Sequence, residues 1–141
     1  MAYIIDLKTF TDERGSLNSI DKVLPFDIKR IYYIYSVNQA LNRGGHRHLE
    51  TQEGLICMNG SYTVLIDNGK LRTEYFLNSP SQILIMEIGD WHVMYDFSPD
   101  AMLMGMASTN YDPSDYIYEP YTTAIDDSLR KPETFKYTVH K

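Results

Sequence analysis

The chain is cut into short apolar segments at nearly even spacing, and almost none of it carries the three-to-four-residue period of an amphipathic helix. IKRIYYIYSV (28–37) interleaves β-branched and aromatic residues with an arginine. SYTVLIDNGKLRTEYF (61–76) reads as a hairpin, with Asn68-Gly69 supplying the positive φ angles of a tight primed turn. QILIMEI (82–88) is almost continuously apolar, and WHVMYDF (91–97) and AMLMGMA (101–107) flank Ser98-Pro99-Asp100. Gly15, Gly60, Gly69 and Gly89 fall at the breaks. Short strands at this spacing predict an all-β sandwich or small barrel. At 141 residues, a single domain spanning 1–141 is expected.

From Tyr111 the character changes. The last stretch, YDPSDYIYEPYTTAIDDSLRKPETFKYTVHK, is polar and carries three prolines. Asp112-Pro113-Ser114 is a turn, part of 122–131 is expected to form a short helix, and 122–141 reads as an irregular or partly helical tail, loosely held unless docked on a partner.

Composition removes several classes of function. A formal net charge of −6 leaves no broad basic face, so nucleic acid is not an expected partner. A small anionic ligand needs only a few local arginines and stays open. Cys57 is the single cysteine, so no internal disulfide can form, and its apolar surroundings predict a buried thiol in a reducing, cytoplasmic setting. The opening MAYIIDLKTF lacks the basic and apolar regions of a signal peptide, and no apolar run approaches a membrane span.

The chemistry-bearing stretch is RGGHRHLETQEGLICMNG (43–60). Alternate side chains of a strand share a face, so His46 and His48 point one way and Arg47 the other. Glu53 and Gly60 follow at fixed distances, and Gly89-Asp90-Trp91-His92 brings a third histidine after a turn. This HxH(x)4E(x)6G pattern with a later GxxH resembles the two motifs of the cupin barrels, which implies a small double-sheet jelly roll with these side chains converging inside. Metallocupins hold a divalent ion with this set, so His46, His48, Glu53 and His92 are a candidate metal site. A lone strand histidine is usually structural, and a glutamate after a turn is usually solvated.

A longer resemblance bears on the same choice. DERGSL (12–17), PFDIKRIYYIY (25–35), RGGHRH (43–48), MNGSYTVLIDNG (58–69), LNSP (77–80), WHVMYDFS (91–98) and NYDPSDYI (110–117) resemble, in order and spacing, the nucleotide-sugar 3,4-ketoisomerases, metal-independent relatives of the dTDP-sugar 3,5-epimerases. The resemblance implies an isomerase without cofactor acting on a dTDP-4-keto-6-deoxyhexose, as a homodimer, with His46 and His48 as the acid/base pair. The family usually has glutamine where Glu53 stands, and this chain departs there. Histidine suits the task independently, because near neutral pH it can both take and give a proton.

Binding the diphosphate asks for arginine, whose planar fork matches phosphate oxygens. Arg43 lies in the RGxH element, which resembles a phosphate-and-sugar contact. Arg14 lies in the DxRG element, which in this superfamily approaches the ligand, often from a neighbouring subunit. Arg30 is a third candidate, with a solvated surface charge as its alternative. Tyr33 and Tyr35 share a strand face suited to thymine or a sugar hydroxyl, and a packed interior is the alternative for Tyr33. His92 is expected to line the pocket. Gly44 and Gly45 would let backbone approach a ligand, although a flexible turn explains one of them equally well. Arg14 and His92 together resemble the branch whose product is dTDP-3-keto-6-deoxygalactose, a precursor of 3-amino-3,6-dideoxyhexoses. The rivals are a metal-dependent cupin enzyme, a 3,5-epimerase and a non-catalytic sugar-binding module.

Overall fold

The computed structural model describes residues 1–121. The helix expected within 122–131 and the tail expected at 122–141 lie outside the described residues. In chain order the strands are β1 (Tyr3–Asp6), β2 (Thr9–Asp12), β3 (Gly15–Asn18), β4 (Arg30–Ile34), β5 (Arg43–His48), β6 (Glu53–Asn59), β7 (Tyr62–Asp67), β8 (Arg72–Leu77), β9 (Gln82–Met86), β10 (Trp91–Tyr95), β11 (Met102–Ala107) and β12 (Tyr116–Ile117). A 3-10 turn, Pro113–Asp115, precedes β12.

Two five-stranded antiparallel sheets result. One has the order β1-β9-β6-β11-β4, the other β12-β5-β10-β7-β8, and β2-β3 stands apart as a hairpin arm. From β4 onward the chain passes repeatedly from one sheet to the other, so of the strands paired within these two sheets only β7 and β8 are sequence neighbours. Between the sheets lies the main core: Leu55, Cys57, Leu84 and Leu103 from the first, and Val64, Ile66, Leu77 and Met94 from the second. The outer faces are also covered. Ile56, Ile83, Ile85 and Met106 pack under Ile20, Leu24 and Phe26, while Leu65, Trp91 and Val93 pack under Tyr95 and Tyr121. Double coverage explains why residues 83–86 of β9 are continuously apolar rather than alternating, since both faces are buried there. Among the described residues no helix is long and apolar enough to cross a membrane.

The strands are shorter than the sequence suggests. The 28–37 segment is strand only over Arg30–Ile34, with Ser36 in the left-handed region (φ 54), and 91–97 is strand only to Tyr95, with Asp96 likewise at φ 51. The expected two-residue turn at Asn68-Gly69 is wrong. Asp67 pairs with Arg72, which leaves a four-residue loop. Asn68 holds it by accepting from the amides of Lys70 and Leu71, at 2.9 and 2.8 Å, so only Gly69 of the pair needs a positive φ. Asparagine acts here through its side chain rather than its backbone.

Candidate active site

β5 and β10 bring the histidines together. His46 faces His92 directly across the pair, and the register then slips, so Val93 opposes Gly44. Gly45 is the residue left over, in a β-bulge with φ 80. Gly44 is needed for its size as well: a Cβ there would stand 3.0 Å from the His92 carbonyl oxygen. One glycine admits the partner strand and the other forms the bulge. His46 then meets His92 with ring centroids 4.6 Å apart and His48 at 4.9 Å, both edge-on. Arg47 turns to the opposite side and lies over the Tyr121 ring.

The cleft above them holds about 460 Å³ and is lined by Arg30, Tyr32, Arg43, His46, Glu53 and His92, with Tyr111 and Tyr116 closing one side. His46 lies on its wall. His48 does not; it is buried behind His46, with Nδ1 2.8 Å from Asp115 Oδ2 and Nε2 3.3 Å from Glu53 Oε1. The second contact is a charge contact off hydrogen-bond alignment, which leaves Nε2 without an aligned partner.

Glu53 is not solvated. It is 3% exposed, accepts from the Tyr32 hydroxyl at 3.1 Å, and lies 3.8 Å from the Arg30 guanidinium. Tyr32 fits because Gly105 opposes it, where a Cβ would stand 2.0 Å from the ring.

The two histidines differ electrostatically. Burial, with His92 and His48 beside it, pushes His46 down to about 3, so it is neutral and able to accept a proton. Burial also pushes His48 down, but Glu53 and Asp115 outweigh it, and its net shift is upward. Glu53 is held down at about 2, because its histidine neighbours outweigh a burial cost that acts the other way. His92 is lowered chiefly by burial.

These side chains do not fit a bound divalent ion. His48 and Glu53 face each other, Arg30 adds a positive charge, and among the described residues no group of three His, Cys, Asp or Glu converges as ligands.

Other sequence expectations are redistributed. Arg30 is no surface charge: its side chain is 18% exposed and it lies over Tyr111. Arg43 borders the cleft. Tyr33 and Tyr35 do share a face, but the outer one, at 67% and 61% exposed; Tyr33 reaches only the cleft rim and Tyr35 does not reach it. The inward tyrosine is Tyr32, in phase with Arg30, so neither a packed interior for Tyr33 nor a pocket role for Tyr35 holds within one chain. Arg14 sits at the tip of the β2–β3 arm, bonded to Asp12 and outside this chain's cleft. Sequence reasoning missed Tyr32, Asp115 and Tyr116. Strand phase relative to Arg30 could have found Tyr32; Asp115 carried no signal beyond its place in NYDPSDYI.

A double-sheet antiparallel barrel with histidines converging in its cleft defines a cupin-type jelly roll. Within that class the chain belongs to the family described as FdtA (WxcM-like, C-terminal), whose profile matches residues 1–125. It is 42% identical over 116 residues to the TDP-4-oxo-6-deoxy-α-D-glucose-3,4-oxoisomerase of Aneurinibacillus thermoaerophilus, covering 81% of this chain and 84% of that protein. Among solved structures it is similar to WlaRA, a TDP-fucose-3,4-ketoisomerase from Campylobacter jejuni (37% identity, TM-score 0.79, 84% of this chain and 89% of that one). It is as similar to WlaRB, a TDP-quinovose 3,4-ketoisomerase from the same organism (36% identity, TM-score 0.81, 84% and 92%).

Proposed function

We propose that this chain is an isomerase that moves the keto group of a dTDP-4-keto-6-deoxyhexose from C4 to C3. The observation that carries this is a neutral, desolvated His46 on the wall of a cleft that also holds Arg30 and Arg43, in a chain 42% identical to a TDP-sugar 3,4-oxoisomerase. His46 takes the proton from C3, next to the C4 carbonyl. The electron pair passes into an enediolate, whose charge the Arg30 guanidinium opposes. Protonated His46, after exchange with solvent, returns a proton to carbon at C4, the C3 hydroxyl proton passes to the C4 oxygen, and C3 becomes the carbonyl. One carbon is oxidised as the other is reduced, so no external redox partner enters.

Chelator-treated protein should convert dTDP-4-keto-6-deoxyglucose in deuterated water, with the 3-keto product seen by NMR and carrying solvent deuterium at C4. Stoichiometric metal whose removal stops turnover would establish the metal-dependent reading instead. Product epimerised at C5 would indicate a 3,5-epimerase, and binding without turnover a sugar-binding module.

The product is proposed to be dTDP-3-keto-6-deoxygalactose, feeding 3-amino-3,6-dideoxyhexose synthesis. Overall likeness does not choose, since relatives named for fucose and quinovose are 37% and 36% identical. The support is His92 beside His46, together with Arg14, as in the resemblance above. The labile product should be trapped with an aminotransferase. A small H4–H5 coupling is expected, and a large axial–axial coupling would assign the gluco product.

A homodimer is proposed as well. β4 is a sheet edge whose outer face exposes Ile31 and Tyr33, with Tyr35 just beyond its end, and the β2–β3 arm exposes Phe10 and Leu17. Open edges and apolar faces invite pairing. Arg14 would then serve the neighbouring cleft. Sedimentation equilibrium should give twice the chain mass; a monomer at micromolar concentration refutes it. A cytoplasmic location is consistent with the buried, free Cys57.

A further inference from the structure

Asp115 lies behind the histidines, outside the cleft lining, and is 8% exposed. Oδ1 accepts from the Glu50 amide at 2.7 Å. Oδ2 accepts from the Thr51 hydroxyl at 2.5 Å and from His48 Nδ1 at 2.8 Å. Thr109 Oγ1 is 2.6 Å from Thr51 Oγ1; since Thr51 gives its one proton to Asp115, Thr109 donates in turn. The backbone adds to this, for the Leu49 amide donates to the Asp115 carbonyl and Tyr116 pairs with His48 across β12 and β5.

Capping the 3-10 turn does not account for these contacts. Asp112 is the cap, accepting from the Ser114 amide at 2.9 Å, while every side-chain contact of Asp115 goes to residues 48–51. Donors at both oxygens favour the ionised carboxylate. An ionised carboxylate only accepts, so Nδ1 of His48 must carry the proton. The remaining groups facing His48 are Glu53 from β6, His46 from its own strand, His92 from β10 and Tyr116 from β12, with Arg30 of β4 beyond Glu53.

We propose that Asp115 is a positioning residue for the isomerisation, fixing the protonated nitrogen and tilt of His48 and, through that ring, holding His46 against the cleft. The inference rests on the activity proposed above. An Asp115→Asn side chain keeps the size but offers one oxygen and one amide nitrogen. At least one of the three present donors would then face a donor.

The test measures kcat, dTDP affinity and melting for Asp115→Asn, and the imidazole nitrogens of the unaltered protein by long-range proton–nitrogen NMR. The expected result is a fall in kcat of roughly tenfold to a hundredfold, the scale of a misplaced reacting group. Calorimetric dTDP affinity should stay within about twofold, since Asp115 lies outside the cleft lining. His48 Nδ1 of the unaltered protein should be protonated at neutral pH. A variant whose kcat per folded molecule stays within about twofold would overturn the proposal, because a merely structural carboxylate moves only the melting point. An unprotonated Nδ1 on His48 would overturn it too. That measurement needs neither the variant nor turnover, so failure of the proposed activity is read separately, from the unaltered protein's assay.

Discussion

Replacing His46 with asparagine is expected to lower kcat by at least ~10²-fold, the scale of a lost acid/base group. dTDP affinity should change far less. Asparagine keeps a polar side chain in the space between His48, His92 and Tyr116 but cannot accept a proton. Arg30 and Arg43, which line the cleft, are untouched. His48→Asn should lose kcat on the same scale by another route, since it removes the ring between Asp115 and Glu53. The pH profile separates the two histidines. His46 is pushed down to about 3, so it stays a competent base below pH 6.5, and the acid limb of kcat should lie below that of an ordinary histidine. Near-normal turnover in both variants, measured under saturating dTDP-sugar, would remove the histidines from the chemistry.

Glu53→Ala is expected to cost roughly 3–5 kcal/mol of stability, the usual result of removing one partner from a buried charge pair. Arg30 would remain inside without its carboxylate, and His48 would keep only Asp115 of its two. The melting point should fall by roughly 10 °C or more. Glu53→Gln should cost less, because the amide keeps the shape and can still accept from Tyr32. The pH dependence has a definite sign. Glu53 is depressed from 4.5 to about 2, so its contribution is present above pH 4.5 and is lost as pH falls toward 2. His48 is raised from 6.5, so its contribution is full below pH 6.5 and is lost as pH rises through its folded value. The pair therefore stabilises most between pH 4.5 and 6.5. Across pH 3 to 9 the loss of melting temperature in Glu53→Gln should be largest in that window, while His46 and His92, both lowered, weaken the fold below pH 6.5 in the unaltered protein and the variant alike. An unchanged profile would mean that Glu53 and His48 do not form a charged pair.

The sequence by itself determined that the chain is all-β, because its short, evenly spaced apolar segments carry almost no helical period. It also determined that His46 and His48 share a face opposite Arg47, because strand alternation is local. GDWH supplied a third histidine after a turn, and the resemblance to the cupin motifs implied that it converges with the other two. The cupin pattern and the longer resemblance carried the family, since they rest on residue type and spacing alone.

Tertiary structure decided what depends on phase and on distant partners. Alternation has two phases, and only pairing with β11 sets which of them faces inward along RIYYI; it buries Tyr32 and exposes Tyr33 and Tyr35. Gly105, seventy-three positions away in the chain, leaves the room for that ring. The bulge at Gly45 sets His46 opposite His92. Glu53 could be read as a ligand or a solvated carboxylate until Tyr32, Arg30 and His48 closed around it. Asp115 reaches His48 across sixty-seven positions of chain, and no local pattern encodes a contact of that range. Periodicity is written residue by residue, whereas the charge state of a buried side chain is set by neighbours that only the folded chain brings together.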